Sequence, residues 1–187
     1  DDLLITAHAA ILAGRHFNQQ ASNLAKQGYM GAYPSSLGQE ACQVAAALAL
    51  EPADWLFPTY RDSVAVMSRG IDLTEVLSPF HGSSHCGYAP TKTHTAPEAT
   101  PLATHTAHAV GLAMAAKFAG DSTVALAMCG DGSTSEGDFH EALNLAAVFE
   151  APVVFLVQNN GYAISTPVSR QMRAASIAAK GEGYGMP

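Results

Sequence analysis

The spacing of apolar residues predicts helices in the first part of the chain. Residues 3–27 place apolar side chains at a spacing near 3.6, which is typical of one helix face, and Gly28 is a C-terminal stop signal. Residues 37–50 are almost uniformly apolar, so we expect a buried helix there. A short helix is predicted at 64–67, and Asp72-Leu-Thr-Glu75 has the form of a capping box that opens another.

The second part of the chain alternates between strand and helix patterns. It follows residues 80–101, which are rich in Gly, Pro, Thr and His without periodicity, and long ordered loops of this kind are usually functional. The order of strand, helix and strand predicts parallel pairing, and the apolar strands are typical of a sheet covered on both faces. We therefore expect an α/β fold with a parallel sheet flanked by helices. The predicted elements are a helix at 103–117, a strand at 123–128, a helix at 136–149 and a strand at 152–157.

Composition bounds the class of protein. The chain has 187 residues, of which 48% are apolar and 13% charged, and this excludes disorder and predicts one domain over 1–187. Within it we expect a helical part at about 1–80 and a βαβ core at about 103–167. A net charge of −7 argues against a nucleic-acid partner. Because the chain lacks an initial methionine and residues 181–187 have a loop composition, we expect a fragment of a longer chain.

Cysteine usage and hydropathy point to a reducing, aqueous compartment. The three cysteines lie far apart without CxxC spacing, so we predict buried apolar filler rather than a disulfide scaffold. We find no membrane span and no signal peptide in the sequence, which predicts a cytoplasmic protein without a membrane partner, although removal of an organellar transit peptide would leave the same pattern. The cysteines are Cys42, Cys86 and Cys129.

Polar residues follow both predicted strands of the βαβ core. Asp131 comes just after the first strand and Asn160 just after the second, and ligands collect at the carboxyl ends of parallel strands. An oxygen from each can meet on one hard cation, and Tyr162 can add a backbone carbonyl. Gly130 and Gly132 let the backbone approach an anion closely. This set predicts a diphosphate bridged by magnesium.

A capping box is predicted at the start of the helix between the two strands. Ser133 and Glu136 have the S-x-x-E spacing, which would direct the N-terminal amides of this helix toward the same anion. Gly-Asp-Gly alone is usually a turn and Asn-Asn alone is usually a loop. Their combination, one strand and one helix apart, is what indicates a binding site.

Several motifs in order resemble the alpha subunit of the decarboxylating first component of 2-oxo acid dehydrogenase complexes. The strongest resemblance is to the thiamine diphosphate signature of those proteins. It is carried by Gly130-Asp-Gly-Ser-Thr-Ser-Glu-Gly-Asp-Phe-His-Glu-Ala-Leu-Asn144 and Gln158-Asn-Asn-Gly-Tyr-Ala-Ile-Ser-Thr-Pro167, with Ser36-Leu-Gly-Gln-Glu-Ala41, Phe57-Pro-Thr-Tyr-Arg-Asp62 and Thr100-Pro-Leu-Ala-Thr104 before them.

The resemblance implies a role for each matching residue. Asp131 and Asn160, with the backbone oxygen of Tyr162, would bind magnesium, and backbone amides around Ser133 would hold the diphosphate. The aminopyrimidine would lie beside Thr100 and Leu102. A segment like the one around Thr104 holds a structural potassium ion in some relatives. The full set of implied cofactor-binding residues is Tyr60, Arg61, Thr100, Leu102, Gly130, Asp131, Gly132, Ser133, Asn160 and Tyr162.

Arg61 has two possible roles, binding of the diphosphate or a surface ion pair unrelated to any ligand. Its guanidinium is the planar, permanently charged group that phosphate oxygens favour, and the resemblance pairs it with Tyr60 at the diphosphate. The alternative is a surface ion pair with Asp62 or Asp54.

Departures from the family pattern concern the substrate and the ion sites. Pyruvate-type members carry a histidine where this chain has Ser63, whereas the closing segment resembles branched-chain members. The predicted activity is therefore oxidative decarboxylation of a branched-chain 2-oxo acid, with pyruvate and acetoin as alternatives. Gln158 replaces an arginine and His105 a glutamine of such members, at the phosphate and potassium positions respectively.

The same resemblance implies partners. No glutamate here falls at the family's position for the aminopyrimidine, because in those proteins the beta subunit supplies it. We therefore expect an α2β2 heterotetramer with a beta subunit, acyl transfer to a lipoyl-bearing acyltransferase core, and an inactive chain in isolation. The catalytic base is unassigned in this chain.

Three alternatives remain open. One is a transketolase-like or acetoin-cleaving thiamine enzyme, and another is a non-catalytic nucleotide-binding or regulatory α/β module. The third is a zinc site in the segment from His81 to His108, which contains five histidines and Cys86 without finger or HExxH spacing. For His140 we predict a packing or hydrogen-bonding role.

Overall fold

The computed structural model describes residues 2–187, which form two compact units. The helical unit comprises the chain up to Pro52 together with Tyr60–Glu98, and the sheet unit comprises Ala53–Thr59 with Ala99–Pro187. Within the described part of the chain, none of the helices combines the length and apolar character of a membrane span.

The first helix, α1, confirms the predicted pattern and runs over Asp2–Lys26. Gly28 follows it with φ +79°, the left-handed conformation that commonly ends a helix. Gly14 on its buried side faces helix α3 (Ser63–Ser68), and a Cβ at Gly14 would lie 2.7 Å from Cγ1 of Val64. Glycine is therefore required for this close approach. The other helices of the unit are α2 (Glu40–Leu48), α3 (Ser63–Ser68), α4 (Leu73–Leu77) and α5 (Pro90–Thr93), with a 3-10 turn at Ser78–His81.

Helix α2 is shorter than the helix predicted at 37–50, and only one of its faces is buried. It begins at Glu40 because Gly38 has φ +91°, which a continuing helix does not allow. Val44 and Ala47 are buried, but Ala45 is exposed, so the helix buries one face only. The expectation of a helix buried on all sides was wrong.

Two other local predictions can be compared with this unit. Asp72 is confirmed as the N-cap of α4, since its carboxylate accepts a hydrogen bond from the Thr74 backbone amide at 2.9 Å. The cysteines form no disulfides, as predicted. We also predicted that all three are buried as apolar filler, but only Cys129, in the sheet unit, is buried. Cys42 is exposed and Cys86 half-buried.

The sheet unit contains a three-stranded parallel sheet in the order β1-β2-β3. Its strands are β1 (Trp55–Phe57), β2 (Ala125–Gly130) and β3 (Val153–Gln158). Helix α6 (Thr104–Ala119) precedes β2, and α7 (Gly137–Phe149) connects β2 to β3. The predicted α/β fold with a parallel sheet flanked by helices is confirmed. Strand β1 was missed because three residues are too few to show alternation.

Burial differs between the two strands of the βαβ core. Strand β2 is buried along almost its whole length. Strand β3 is half-buried, and Val154 is 52% exposed. The prediction that both faces of the sheet are covered was therefore wrong for β3 in this chain. Helix α7 packs on the sheet through Phe139 and Leu143, which contact buried Cys129 and half-buried Phe155.

The remainder of the unit surrounds the carboxyl ends of β2 and β3. A 3-10 turn, Asp131–Ser135, follows β2, and a small antiparallel hairpin of β4 (Tyr162–Ala163) and β5 (Thr166–Pro167) follows β3. Two short helices come next, α8 (Val168–Gln171) and α9 (Ala178–Gly183). Residues 181–187 were predicted as loop, but the first three of them complete α9.

Candidate functional site

The turn after β2 holds Asp131 in a buried, hydrogen-bonded position. Asp131 is 2% exposed, and its Oδ2 accepts a hydrogen bond from Nε2 of Gln171 at 3.0 Å. Its backbone carbonyl accepts from the Thr134 hydroxyl at 2.8 Å. A buried carboxylate with a fixed orientation is a suitable ligand for a hard cation.

Two residues beyond the hairpin support this turn, and nothing in the sequence patterns indicated either of them. The Gln171 amide also donates to the Thr166 carbonyl at 3.0 Å, and its Oε1 accepts from Ser135 at 3.4 Å. Lys180 donates to both the carbonyl and the hydroxyl of Thr134, the latter at 2.9 Å. Burial lowers the pKa of the Lys180 amine.

Ser133 does not cap helix α7, contrary to the prediction. The N-cap residue is Glu136 and carries no side-chain cap, because residues 131–135 form a 3-10 turn before the helix begins at Gly137. Ser133 is buried, and its Oγ has no hydrogen-bond partner among residues 2–187. An unpaired buried hydroxyl is costly, so this atom fits a site in which a bound group supplies the partner.

Gly130 also fits the approach of a ligand. A Cβ at this position would meet no atom within 4 Å, and its φ of −91° is accessible to any residue. Packing within the chain and backbone conformation therefore do not explain a glycine here. The open space next to its backbone is compatible with an anion, as the sequence predicts.

The loop after β3 is exposed and is ordered by its own asparagines. Oδ1 of Asn160 accepts from the Tyr162 backbone amide at 3.0 Å, and Oδ1 of Asn159 accepts from the Gly161 amide at 3.0 Å. Gly161 has φ +90°, which favours glycine at the bend. Tyr162 is 60% exposed.

The structure brings the turn and this loop together. Gly130 and Gln158, the last residues of β2 and β3, are directly paired, so Asp131 and Asn160 follow adjacent strand ends. Gly132 packs against the hairpin, where a Cβ would lie 2.8 Å from Cβ of Ala163. One carboxylate, one amide oxygen and a nearby backbone carbonyl are donors that suit Mg²⁺ when phosphate and water complete the set.

The segment from Thr100 to Thr104 has a strained backbone. Ala103 is fully buried with φ +63°, a conformation that costs free energy for a residue with a Cβ, and such strain often marks functional sites. Its neighbour Leu102 is 39% exposed, and Thr100 is exposed. Thr104 donates to Asp138 at 3.3 Å. Potassium binding by this segment stays a prediction.

Tyr60 and Arg61 belong to the helical unit. One guanidinium nitrogen of Arg61 donates to the Ser35 carbonyl at 2.8 Å, and the Arg61 side chain lies 5.6 Å from the centre of the Tyr60 ring. Gln43 donates to the Arg61 carbonyl at 3.1 Å. The guanidinium is thus oriented by contacts within its own unit.

The same unit contains a half-buried acid with a buried carboxyl oxygen, Glu98, which the sequence did not indicate. Oε1 of Glu98 accepts a hydrogen bond from Ser63 at 3.0 Å, while its buried Oε2 has no hydrogen-bond partner within the described part of the chain. Burial raises the pKa of Glu98 to about 8, and the Asp62 charge adds to this against the opposing hydrogen bond from Ser63. The pKa of Tyr33 is raised by burial and by the Glu98 charge.

The histidines do not assemble a zinc site. Among residues 2–187, no three His, Cys, Asp or Glu side chains lie together as metal ligands. His105 is buried, with its Nε2 2.6 Å from the Met128 carbonyl, and the ring of His94 lies 2.8 Å from the Pro52 carbonyl. Nδ1 of His140 lies 2.9 Å from the Tyr184 hydroxyl, which agrees with its predicted hydrogen-bonding role.

Comparison with known proteins places this chain in a family. The chain is 47% identical over all its 187 residues to the 3-methyl-2-oxobutanoate dehydrogenase subunit alpha of Mycobacterium tuberculosis, covering 51% of that protein. It is 36% identical to the pyruvate dehydrogenase E1 component subunit alpha of Acholeplasma laidlawii and of Staphylococcus aureus, covering 54% and 50% of them. It thus spans about half the length of the curated relatives it matches. Residues 9–187 match the family described as Dehydrogenase E1 component, and the chain therefore belongs to that family.

Proposed function

We propose that this chain is the diphosphate-binding part of the alpha subunit of a thiamine diphosphate-dependent 2-oxo acid dehydrogenase. The observation that carries the proposal is the position of the Asp131 turn and the Asn160 loop at the ends of two adjacent, paired parallel strands. Bound thiamine diphosphate supplies an electron sink for decarboxylation of a 2-oxo acid. The residues of this chain bind and orient it.

The proposed metal ligands are Asp131, Asn160 and the backbone oxygen of Tyr162. Gly130, Gly132 and Ser133 would line the diphosphate, and the Ser133 hydroxyl would gain the hydrogen-bond partner that the described residues do not supply. Thr100 and Leu102 would border the aminopyrimidine, and the family resemblance assigns Tyr60 and Arg61 to the diphosphate. A potassium ion near Thr104 belongs to the same proposal.

The proposed substrate is a branched-chain 2-oxo acid. The relative named for 3-methyl-2-oxobutanoate, a branched 2-oxo acid, is 47% identical to this chain, whereas the relatives named for pyruvate are 36% identical. In addition, Ser63 stands where pyruvate-type members carry a histidine. The Ser63 hydroxyl donates to Glu98, so this position presents a small, already hydrogen-bonded side chain. We further propose a beta subunit that supplies the missing glutamate in an α2β2 assembly, and a lipoyl-bearing acyltransferase as acyl acceptor.

Calorimetry on the full-length alpha–beta assembly tests the cofactor proposal. We expect thiamine diphosphate to bind more tightly with Mg²⁺ than without it, and Asp131→Ala to abolish this difference. Glu141→Ala, on the exposed side of α7, is the matched control and should bind as the unchanged assembly does. Equal affinity with and without Mg²⁺ in the unchanged assembly would refute the proposal.

Substrate profiling of the same assembly tests the reaction. We expect decarboxylation of branched 2-oxo acids in preference to pyruvate and acetoin, and no turnover by the alpha subunit alone. A preference for pyruvate would replace the branched-chain assignment while leaving the cofactor site unchanged. Absence of turnover with every 2-oxo acid, despite metal-dependent cofactor binding, would instead favour a regulatory role.

A further inference from the structure

We infer that Gln171 is a positioning residue for the metal ligand Asp131, and this inference rests on the function proposed above. Gln171 is the last residue of α8, 40 residues beyond Asp131. No sequence motif identifies it. Its side chain instead acquires this role from three hydrogen bonds made in the folded sheet unit.

The first bond determines the orientation of the carboxylate. Nε2 of Gln171 donates to Oδ2 of Asp131 at 3.0 Å, and Asp131 is 2% exposed, so water has little access to replace this donor. A hydrogen bond to one oxygen of a ligating carboxylate restricts its rotation and directs the other oxygen to a defined position. Cation binding then requires less reordering of the ligand.

The other two bonds hold Gln171 itself in place. The second proton of Nε2 is donated to the Thr166 carbonyl of β5 at 3.0 Å, and Oε1 accepts from Ser135 at the end of the 3-10 turn at 3.4 Å. Both amide protons therefore have acceptors. The side chain links the turn that carries Asp131 to the hairpin that follows Asn160.

This linkage couples the two parts of the proposed metal site. The hairpin begins at Tyr162, whose amide is bonded to Asn160, and it ends at Pro167, next to the Thr166 carbonyl that Gln171 binds. Loss of the Gln171 amide would release the Asp131 carboxylate and one end of the hairpin together. We therefore expect weaker metal binding, with little change in the reaction rate once metal is saturating.

The test is Mn²⁺ affinity, measured by electron paramagnetic resonance on the full-length alpha–beta assembly with saturating thiamine diphosphate. Gln171→Leu removes all three bonds at similar size. Gln171→Asn keeps the amide but shortens the side chain by one carbon, and it is the milder change should the first variant fail to fold. Gln20→Leu, at an exposed position of α1, is the matched control.

We expect the Mn²⁺ dissociation constant to rise about 10- to 100-fold in both Gln171 variants. It should change less than about threefold in Ser135→Ala, which removes only the longest of the three bonds. Turnover at saturating Mg²⁺ should recover to near the unchanged level, so the defect appears in the metal concentration required. Gln20→Leu should bind Mn²⁺ as the unchanged assembly does.

Folded Gln171 variants with unchanged Mn²⁺ affinity would overturn the inference while leaving the proposed function intact. A lowered melting temperature at unchanged Mn²⁺ affinity would overturn it as well, because it would show a merely structural role. Failure of the proposed function has a different signature: the unchanged assembly would then bind Mn²⁺ no better with thiamine diphosphate than without it.

Discussion

Two acids with buried carboxyl oxygens, one in each unit, show how surroundings assign different roles to the same chemical group. Asp131 in the sheet unit has an amide donor on its carboxylate and lies in a turn supported by Gln171 and Lys180. Glu98 in the helical unit has one donor, Ser63, and a second, buried oxygen to which no other described residue donates. At Glu98, burial outweighs the single donor and raises the pKa of the acid.

The lesson concerns which acid can hold a cation. Glu98 has a pKa raised to about 8 by burial, so near neutral pH much of it carries a proton, which opposes metal binding. Asp131 lies at the carboxyl end of a parallel strand, beside a loop that offers further oxygen atoms. Burial with a donor is common to both acids and does not identify a metal ligand; the position of Asp131 at the end of a parallel strand is what supports the proposal made for it.

The largest expected effect comes from Asp131→Asn, which removes the negative charge and nearly preserves the shape. We expect Mn²⁺ to bind the thiamine diphosphate-loaded assembly at least about 100-fold more weakly, because loss of a charged ligand exceeds the loss of a residue that orients it. Paramagnetic resonance titration measures this. Glu98→Gln is the matched comparison and should leave Mn²⁺ affinity within about twofold; a similar loss in both variants would contradict the distinction between the two acids.

Gly132→Ala should weaken the support of Asp131 without replacing any of the three proposed metal ligands. Its new Cβ would lie 2.8 Å from Cβ of Ala163, so the turn and the hairpin must separate. We expect a loss of about 1–3 kcal/mol in the free energy of unfolding, together with weaker Mn²⁺ binding.

Chemical denaturation and the same Mn²⁺ titration measure both consequences of Gly132→Ala. Gly111→Ala is the control, since a Cβ at that position of α6 meets no atom within 4 Å. If Gly132→Ala binds Mn²⁺ normally, close packing of the turn on the hairpin is unnecessary for the site.

The Glu98 carboxyl group should make the stability of the protein depend on pH, and Glu98→Gln should remove that dependence. The folded chain holds the Glu98 proton up to about pH 8, whereas the unfolded chain releases it near the usual glutamate pKa. Between those values the folded state binds more protons, so stability falls as pH rises. We expect this contribution, about 1–3 kcal/mol between pH 5 and 8.5 after allowance for partial exposure, to be absent in Glu98→Gln.

Denaturant unfolding of the assembly at several pH values measures the effect of Glu98→Gln. Glu141→Gln, at an exposed position of α7, should keep the slope of the unchanged protein. A slope that persists in Glu98→Gln would assign the pH dependence to another group.

The smallest expected effect is that of Ser63→Ala. Its hydroxyl donates to Glu98 and opposes the rise in the pKa of that acid, so its removal should raise the pKa further. We expect a loss of about 0.5–1.5 kcal/mol in stability, larger above pH 8 than below pH 6. A double-mutant cycle with Glu98→Gln measures the coupling, and additive effects would show that the hydrogen bond contributes nothing.

Local chemistry made much of the fold predictable. Apolar spacing predicted α1 and α6 within a few residues, and Asp72 was identified as a cap because capping depends on neighbours in the chain. The predicted start of α2 and the predicted cap of α7 were wrong because a local backbone feature precedes each of these helices. Gly38 delayed the start of α2, and the 3-10 turn replaced the cap expected at Ser133.

The order of strands and motifs in the sequence determined that Asp131 and Asn160 would follow neighbouring parallel strands, because that position depends on chain order and on the geometry of parallel sheets. Only the tertiary structure decided what surrounds them. Gln171 reaches Asp131 across 40 residues, and Ser63 reaches Glu98 across 35. No local pattern encodes such pairs, since each partner is an ordinary polar residue until folding buries it beside the other, and burial is what gives each hydrogen bond its effect.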